Sequence, residues 1–93
     1  MATYVFYGLD GPDGLAIRKA TRPAHLEFIK SLGGRVRVGG PMLGADGGTP
    51  VGTMLVIEAD TLDDAKATMA NDPYTHAKLF KSADIRPFDW IVK

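Results

Sequence analysis

Residues 3–9 read TYVFYGL, and the two sides of that run decide the fold. β-Branched and aromatic residues at nearly every position predict a strand, and the turn cluster DGPDG at 10–14 closes it. Successive side chains of a strand point to opposite faces. Tyr4 and Phe6 therefore fall on one side and Val5, Tyr7 and Leu9 on the other, so the sheet around this strand is apolar on both faces. Such a strand belongs at the centre of a sheet, with a packed layer above and below it.

Reading outward, a helical pattern starts at Leu15 and meets Pro23, whose ring pushes the preceding residue out of the α region. We place the main helix after a cap at Thr21 or Arg22, with Pro23 in its first turn, Leu26, Ile29 and Leu32 as its apolar stripe, and Gly33-Gly34 as its stop. Arg18 is assigned to a short turn or helix before it. RVRVGGPML at 35–43 is a second strand that should lose its pairing at Gly39, Gly40 and Pro41. GADGGTP at 44–50 is a flexible connection, and VGTMLVIEA at 51–59 is a third strand, apolar on both faces. In DTLDDAKATMA at 60–70, Thr61 and Asp64 have capping-box spacing, and Leu62, Ala65 and Met69 recur at helical intervals. NDPYTHAKLF at 71–80 reads as a re-capped helical turn, and ADIRPFDWIVK at 83–93 as a fourth strand that Pro87 confines to a sheet edge.

The order βαββαβ is the ferredoxin-like pattern, with strands one and three central and strands two and four at the edges. Two helices cover only one face of such a sheet. A second copy of the same sheet is the simplest cover for the other, so the expected assembly is an isologous homodimer, an α+β barrel built from two faced sheets. Ninety-three residues lie at the low end for one independently folding domain, so the expectation is a single domain spanning 1–93.

Eleven basic and eleven acidic residues cancel, leaving no long-range field to attract nucleic acid or an anionic membrane. Arg35 and Arg37, in RVRV, read as a solvated strand edge rather than a phosphate track. Without cysteine there is no disulfide, thiolate nucleophile or zinc–thiolate site. No apolar run approaches the roughly 20 residues of a membrane span, and MATYVFYGLD lacks the build of a signal peptide. The expectation is a soluble cytoplasmic protein.

His25, in TRPAHLEF at 21–28, is the first residue able to do acid–base chemistry. In the first turn of a helix it would feel the positive end of the dipole, which disfavours imidazolium and leaves a ring able to accept a proton. Read alone, it is better explained by a half-buried histidine bonded to a neighbouring loop. Asp72, before Pro73, has the form of an N-cap. Capping needs one carboxylate oxygen, and the other could orient His25 and raise its basicity. The loop GGPMLGADGGTPVG at 39–52 lacks the ending of a P-loop and reads as a mobile hairpin connection, able to serve as a lid. His76 shares at best one carboxylate, too little for a metal site, and reads as exposed. Trp90, Phe88, Tyr74 and Tyr7 read as core or dimer packing before ligand platforms, because so small a chain needs its large side chains inside. Arg18 and Arg22 could hold a carboxylate or phenolate, although solvated arginines are common near a helix start.

In register, RPAHL at 22–26, GGPM at 39–42, Gly52-Thr53 before an apolar strand, EADTLDDA at 58–65, DPY at 72–74 and IRPF at 85–88 resemble the YciI-like (YCII-related) protein family. The resemblance runs over nearly the whole chain. It implies a dimeric α+β barrel with an active site made of the histidine of RPAHL and the aspartate of DPY, here His25 and Asp72. Arg22, Gly40, Pro41 and Thr53 would line the same pocket, although members more often carry serine at the position of Thr53. Some relatives are similar to aromatic-degradation enzymes, including a dehydrochlorinase of chlorinated hydroxyquinols, and the fold is shared with muconolactone isomerases.

Two functions follow as expectations. One is a cofactor-independent enzyme of isomerase, lyase or dehydrochlorinase type, acting on a small aromatic or anionic molecule. In it His25 and Asp72 carry proton transfer, Arg18, Arg22, Gly40, Pro41, Thr53 and Tyr74 hold the ligand, and no metal takes part. The other is a non-catalytic module that binds a small ligand or oligomerises.

Overall fold

The computed structural model describes residues 1–93. Along the chain run β1 (Ala2–Asp10), α1 (Gly14–Leu32), a single 3-10 turn (Gly33–Arg35), β2 (Val36–Leu43), β3 (Pro50–Ala59), α2 (Leu62–Ala70), α3 (Pro73–His76) and β4 (Phe80–Pro87). The strands form one antiparallel sheet in the order β2-β3-β1-β4, so the two most apolar runs are central. Tyr4 and Phe6 of β1 and Leu55, Ile57 and Ala59 of β3 pack under Ala65 and Met69 of α2, with Ile29 of α1 against their flank. This α+β protomer is the βαββαβ arrangement expected from the sequence.

Three boundaries differ from the sequence reading. The first concerns Pro23, which lies inside an unbroken α1 rather than at its start, so Arg18 and His25 share one helix. Proline removes the bond its N–H would make to the Lys19 carbonyl, at a cost of about 3 kcal/mol in a helix interior. Packing of α1 along α3, and the bonds that Arg18 and His25 make to Asp10 and Asp72 on either side of the proline, offset that cost. The second is in β2, which keeps its pairing through Gly39↔Leu55, Gly40↔Met54, Pro41↔Thr53 and Met42↔Gly52. As an edge strand β2 has one row of backbone groups free of partners, and Pro41 needs no donor there. The third is β4, which begins at Phe80 and ends at Pro87; beyond it Phe88 exchanges backbone and side-chain bonds with Thr3, and Trp90 lies over Arg37 at 5.8 Å.

The second helix begins as its spacing predicts, with the Thr61 hydroxyl accepting the Asp64 N–H at 3.1 Å. All the helices lie on one side of the sheet, and no helix is long and apolar enough to cross a membrane. On the opposite face β1 and β3 pair Val5 with Val56 and Tyr7 with Met54. There Tyr7, Leu9 and Val38 stand 40%, 44% and 39% exposed. α2 packs directly on the sheet, whereas α1 packs mainly along α3, and a cavity opens between α1 and the β2–β3 half of the sheet.

Candidate functional site

Arg18, Arg22, His25 and Ile29 follow one another at intervals of four, three and four residues, which puts them on one face of α1. That face looks across a cavity of about 470 Å³ at Thr53 and Leu55 of β3 and at Gly39, Gly40 and Pro41 of β2. Tyr74 of α3 closes one side. Arg18, Arg22, His25, Gly40, Pro41, Thr53 and Tyr74, nominated from the sequence, therefore share one wall system. Asp72 is not in the wall but directly behind it, 0% exposed.

His25 Nδ1 lies 2.9 Å from Asp72 Oδ1, and the same oxygen accepts the Tyr74 N–H that starts α3, also at 2.9 Å. The sequence reading gave the cap one oxygen and the histidine the other. In the structure Oδ1 does both, and Oδ2 is buried without a protein partner. Because Oδ1 is an acceptor, Nδ1 of the ring is assigned as the donor, and in a neutral imidazole this leaves Nε2 with its lone pair. Nε2 has no protein partner, and its ring lines the cavity. Tyr74 stacks on His25 with centroids 4.0 Å apart and planes 14° from parallel, which fixes the plane of the imidazole.

His25 is also not in the first turn. It is the twelfth residue of α1, and a helix dipole acts within the last turn at either end, so Asp72 and Tyr74 rather than the dipole define its surroundings.

Arg18 is buried. Its Nε and Nη2 meet Asp10 Oδ2 and Oδ1 at 2.7 and 2.9 Å, and Nη2 also donates to Thr53 Oγ1 at 2.9 Å. Burial works against its charge, but the bonds to Asp10 outweigh it and hold the guanidinium pKa above its ordinary value. Gly14 makes this pairing possible, since a Cβ there would sit 2.8 Å from Asp10 Cβ and Oδ2. Arg18 is thus a committed cation rather than a free anchor. Arg22 is exposed at the mouth and forms no ion pair, with Lys19 beside it. Burial raises the pKa of the Tyr74 phenol against the opposing pull of Arg18 and Arg22, which keeps it protonated.

Other nominated features lie elsewhere. His76 is exposed, and no cluster of three or more histidine, aspartate or glutamate side chains is arranged to hold a metal. Arg35 bonds the Glu58 carbonyl and Thr68, and Arg37 pairs with Glu58 and faces Trp90. The glycine-rich connection is only Gly44–Thr49, pinned by Asp46 to the Gly48 and Thr49 N–H groups; its flanks Gly39–Pro41 and Pro50, not its tip, border the cavity. Sequence reasoning passed over Asp10, taken as part of a turn, and Lys19. The signal for Lys19 and the Arg18–His25 stripe was there, but breaking the helix at Pro23 hid it.

The profile of the YCII-related domain matches residues 2–89. The chain belongs to the YCII-related family. Within it, Protein YciI of Escherichia coli O6:H1 is 34% identical over 92 residues, covering 91% of this chain and 94% of that protein. Among solved structures, TftG, a 5-chloro-2-hydroxyhydroquinone dehydrochlorinase from Burkholderia phenoliruptrix AC1100 in complex with 2,5-dihydroxybenzoquinone, is similar at TM-score 0.86 and 32% identity. That match covers 94% of this chain and 93% of TftG. An antibiotic biosynthesis monooxygenase at 9% identity and TM-score 0.57, covering 96% and 97% of the two chains, shares the fold alone. The YCII-related protomer is thus of the dimeric α+β barrel class.

Proposed function

We propose that this YCII-related protein is a cofactor-independent enzyme that moves a proton on a small aromatic or anionic molecule, with His25 as the general base and acid. The observation that carries the reading is the 2.9 Å bond from His25 Nδ1 to a fully buried Asp72, which leaves Nε2 as the free nitrogen of a ring that lines a cavity of about 470 Å³. Nε2 takes a proton from the substrate, and the imidazolium that forms is stabilised by Asp72 at its other nitrogen. Returning the proton at another atom is an isomerisation; losing a leaving group with its electron pair instead is a lyase or dehydrochlorinase step, in which the substrate gives up H⁺ and Cl⁻. Arg22, unpaired at the mouth, draws in the anion, and Tyr74 holds the ring of His25. The 32% identity to a dehydrochlorinase supports a reaction of that type.

The test is turnover of 5-chloro-2-hydroxyhydroquinone by wild type, His25→Ala and Arg22→Ala. A general base contributes about 10²–10⁴-fold, so His25→Ala should lose that much in kcat, and Arg22→Ala should raise KM. Turnover that survives His25→Ala unchanged removes the assignment. One observation favours the rival reading of a binder without turnover: Asp72 Oδ1 caps α3, so its position has a structural reason independent of chemistry. On that reading the protein binds the chlorinated quinol and releases it unaltered.

We also propose that a second copy covers the open sheet face, through Val5, Tyr7, Leu9 and Val38, in an isologous dimer.

A further inference from the structure

The geometry points to Thr53 as the hydrogen-bond donor that receives the negative charge created by His25, which makes the substrate a small conjugated carbonyl compound, a polyhydroxylated ring in its keto form included. This inference rests on the reading of His25 as the base.

The Thr53 hydroxyl has one proton to give and two lone pairs to accept with. Arg18 Nη2 donates to Oγ1 at 2.9 Å, filling one acceptor position with a charge-assisted bond. The Thr53 proton has no acceptor in the protein, although its residue is only 2% exposed. Thr53 points to the helical side of the sheet, opposite Pro41 and beside Leu55, and borders the cavity that His25 lines. Because Thr53 borders the cavity, an acceptor bound there can take that proton.

The neighbours make this donor better than an ordinary threonine. The guanidinium N–H polarises Oγ1 and strengthens the bond its proton makes in turn. Asp10 holds Arg18 in place through two bonds at 2.7 and 2.9 Å and balances most of its charge, so the site binds oxygen directionally rather than as a diffuse cation. No acidic side chain lines the cavity to compete for an anion. The cavity thus offers a proton acceptor, His25 Nε2, and a fixed oxygen site at Thr53.

Those two groups fit one chemistry. Nε2 removes a proton from a carbon or hydroxyl conjugated with a carbonyl; the C–H or O–H bond breaks as the N–H bond forms. The electron pair moves through the conjugated system, and C=O becomes C–O⁻ at the Thr53 hydroxyl. Nothing is oxidised or reduced, and collapse of the enolate either returns the proton at a new atom or expels a leaving group.

The test is calorimetric binding of 2,5-dihydroxybenzoquinone, a conjugated oxyanion, to wild type, Thr53→Ser, Thr53→Val, Thr53→Ala and His25→Ala. A hydrogen bond to a charged group corresponds to about a 10- to 100-fold change in Kd. Thr53→Val and Thr53→Ala should weaken binding by that factor, while Thr53→Ser stays within about threefold of wild type. His25→Ala should still bind, because Nε2 offers the anion no proton. Should Val unfold the protein by leaving one N–H of Arg18 Nη2 without an acceptor, Thr53→Ala, which leaves room for a water to accept from Arg18, carries the comparison. Val or Ala variants that bind as tightly as wild type, or a wild type that does not bind at all, overturn the inference. Loss of binding in the Thr53 variants together with full turnover by His25→Ala would leave the oxygen site standing and remove the base.

Discussion

Asp72 does two jobs with one atom. Oδ1 starts α3 by accepting the Tyr74 N–H and holds His25 Nδ1, while Oδ2 lies buried with no protein partner. Replacing Asp72 by alanine should therefore cost more than a cap alone, which is worth about 0.5–2 kcal/mol; urea denaturation measures it. It should also free the imidazole. ¹⁵N NMR of the ring should show the Nδ1–H tautomer in wild type and a mixture with Nε2–H in Asp72→Ala. An unaltered tautomer would mean that stacking on Tyr74, not the carboxylate, sets the ring. Both residues were visible in the sequence as isolated candidates, His25 in RPAHL and Asp72 in DPY. Their contact was not, because 47 residues separate them and only the packing of α1 along α3 brings them together.

At the scale of elements, α1 shows where local rules lose to packing. Proline in a helix interior is the strongest local signal of a break, yet α1 runs through Pro23 with Arg18, Arg22, His25 and Ile29 on one face. The helix tolerates the missing bond to build the site wall. Pro23→Ala restores that bond, and although it also frees the unfolded chain, it should raise stability by about 2 kcal/mol in urea denaturation without changing ligand affinity. The β2–β3 connection makes the opposite point, since a glycine-rich stretch that looks mobile is tied by Asp46. The Thr49 hydroxyl, then the Gly48 and Thr49 N–H groups, lower the Asp46 pKa from 3.8 to about 2. A carboxylate whose pKa falls on folding stabilises the folded state above its unfolded value, and that contribution is lost as pH drops through the folded one. The turn should therefore weaken between about pH 4 and pH 2, and Asp46→Asn should flatten that limb of an acid-denaturation curve.

For the whole molecule, the face of the sheet turned away from the helices decides the assembly. Tyr7, Leu9 and Val38 stay roughly two-fifths exposed in a single chain, an apolar surface of the kind that marks an interface. Sedimentation at micromolar concentration should show a dimer, and Tyr7→Lys, which places a charge amid that face, should yield monomers with an intact protomer fold. A wild-type monomer under those conditions removes the proposal. The sequence by itself determined the order of elements and the central place of β1 and β3, because alternation, turn residues and caps act over a few neighbours and leave their marks in the chain. It also held the residues that meet at the cavity. Which of them touch was decided only by the tertiary structure. The stand-off of α1 from the sheet opens the cavity, the capture of Arg18 by Asp10 takes it out of the free cations, and the burial of Asp72 turns a cap into the partner of a histidine. Each of these depends on distances between segments far apart in sequence, which no local pattern encodes.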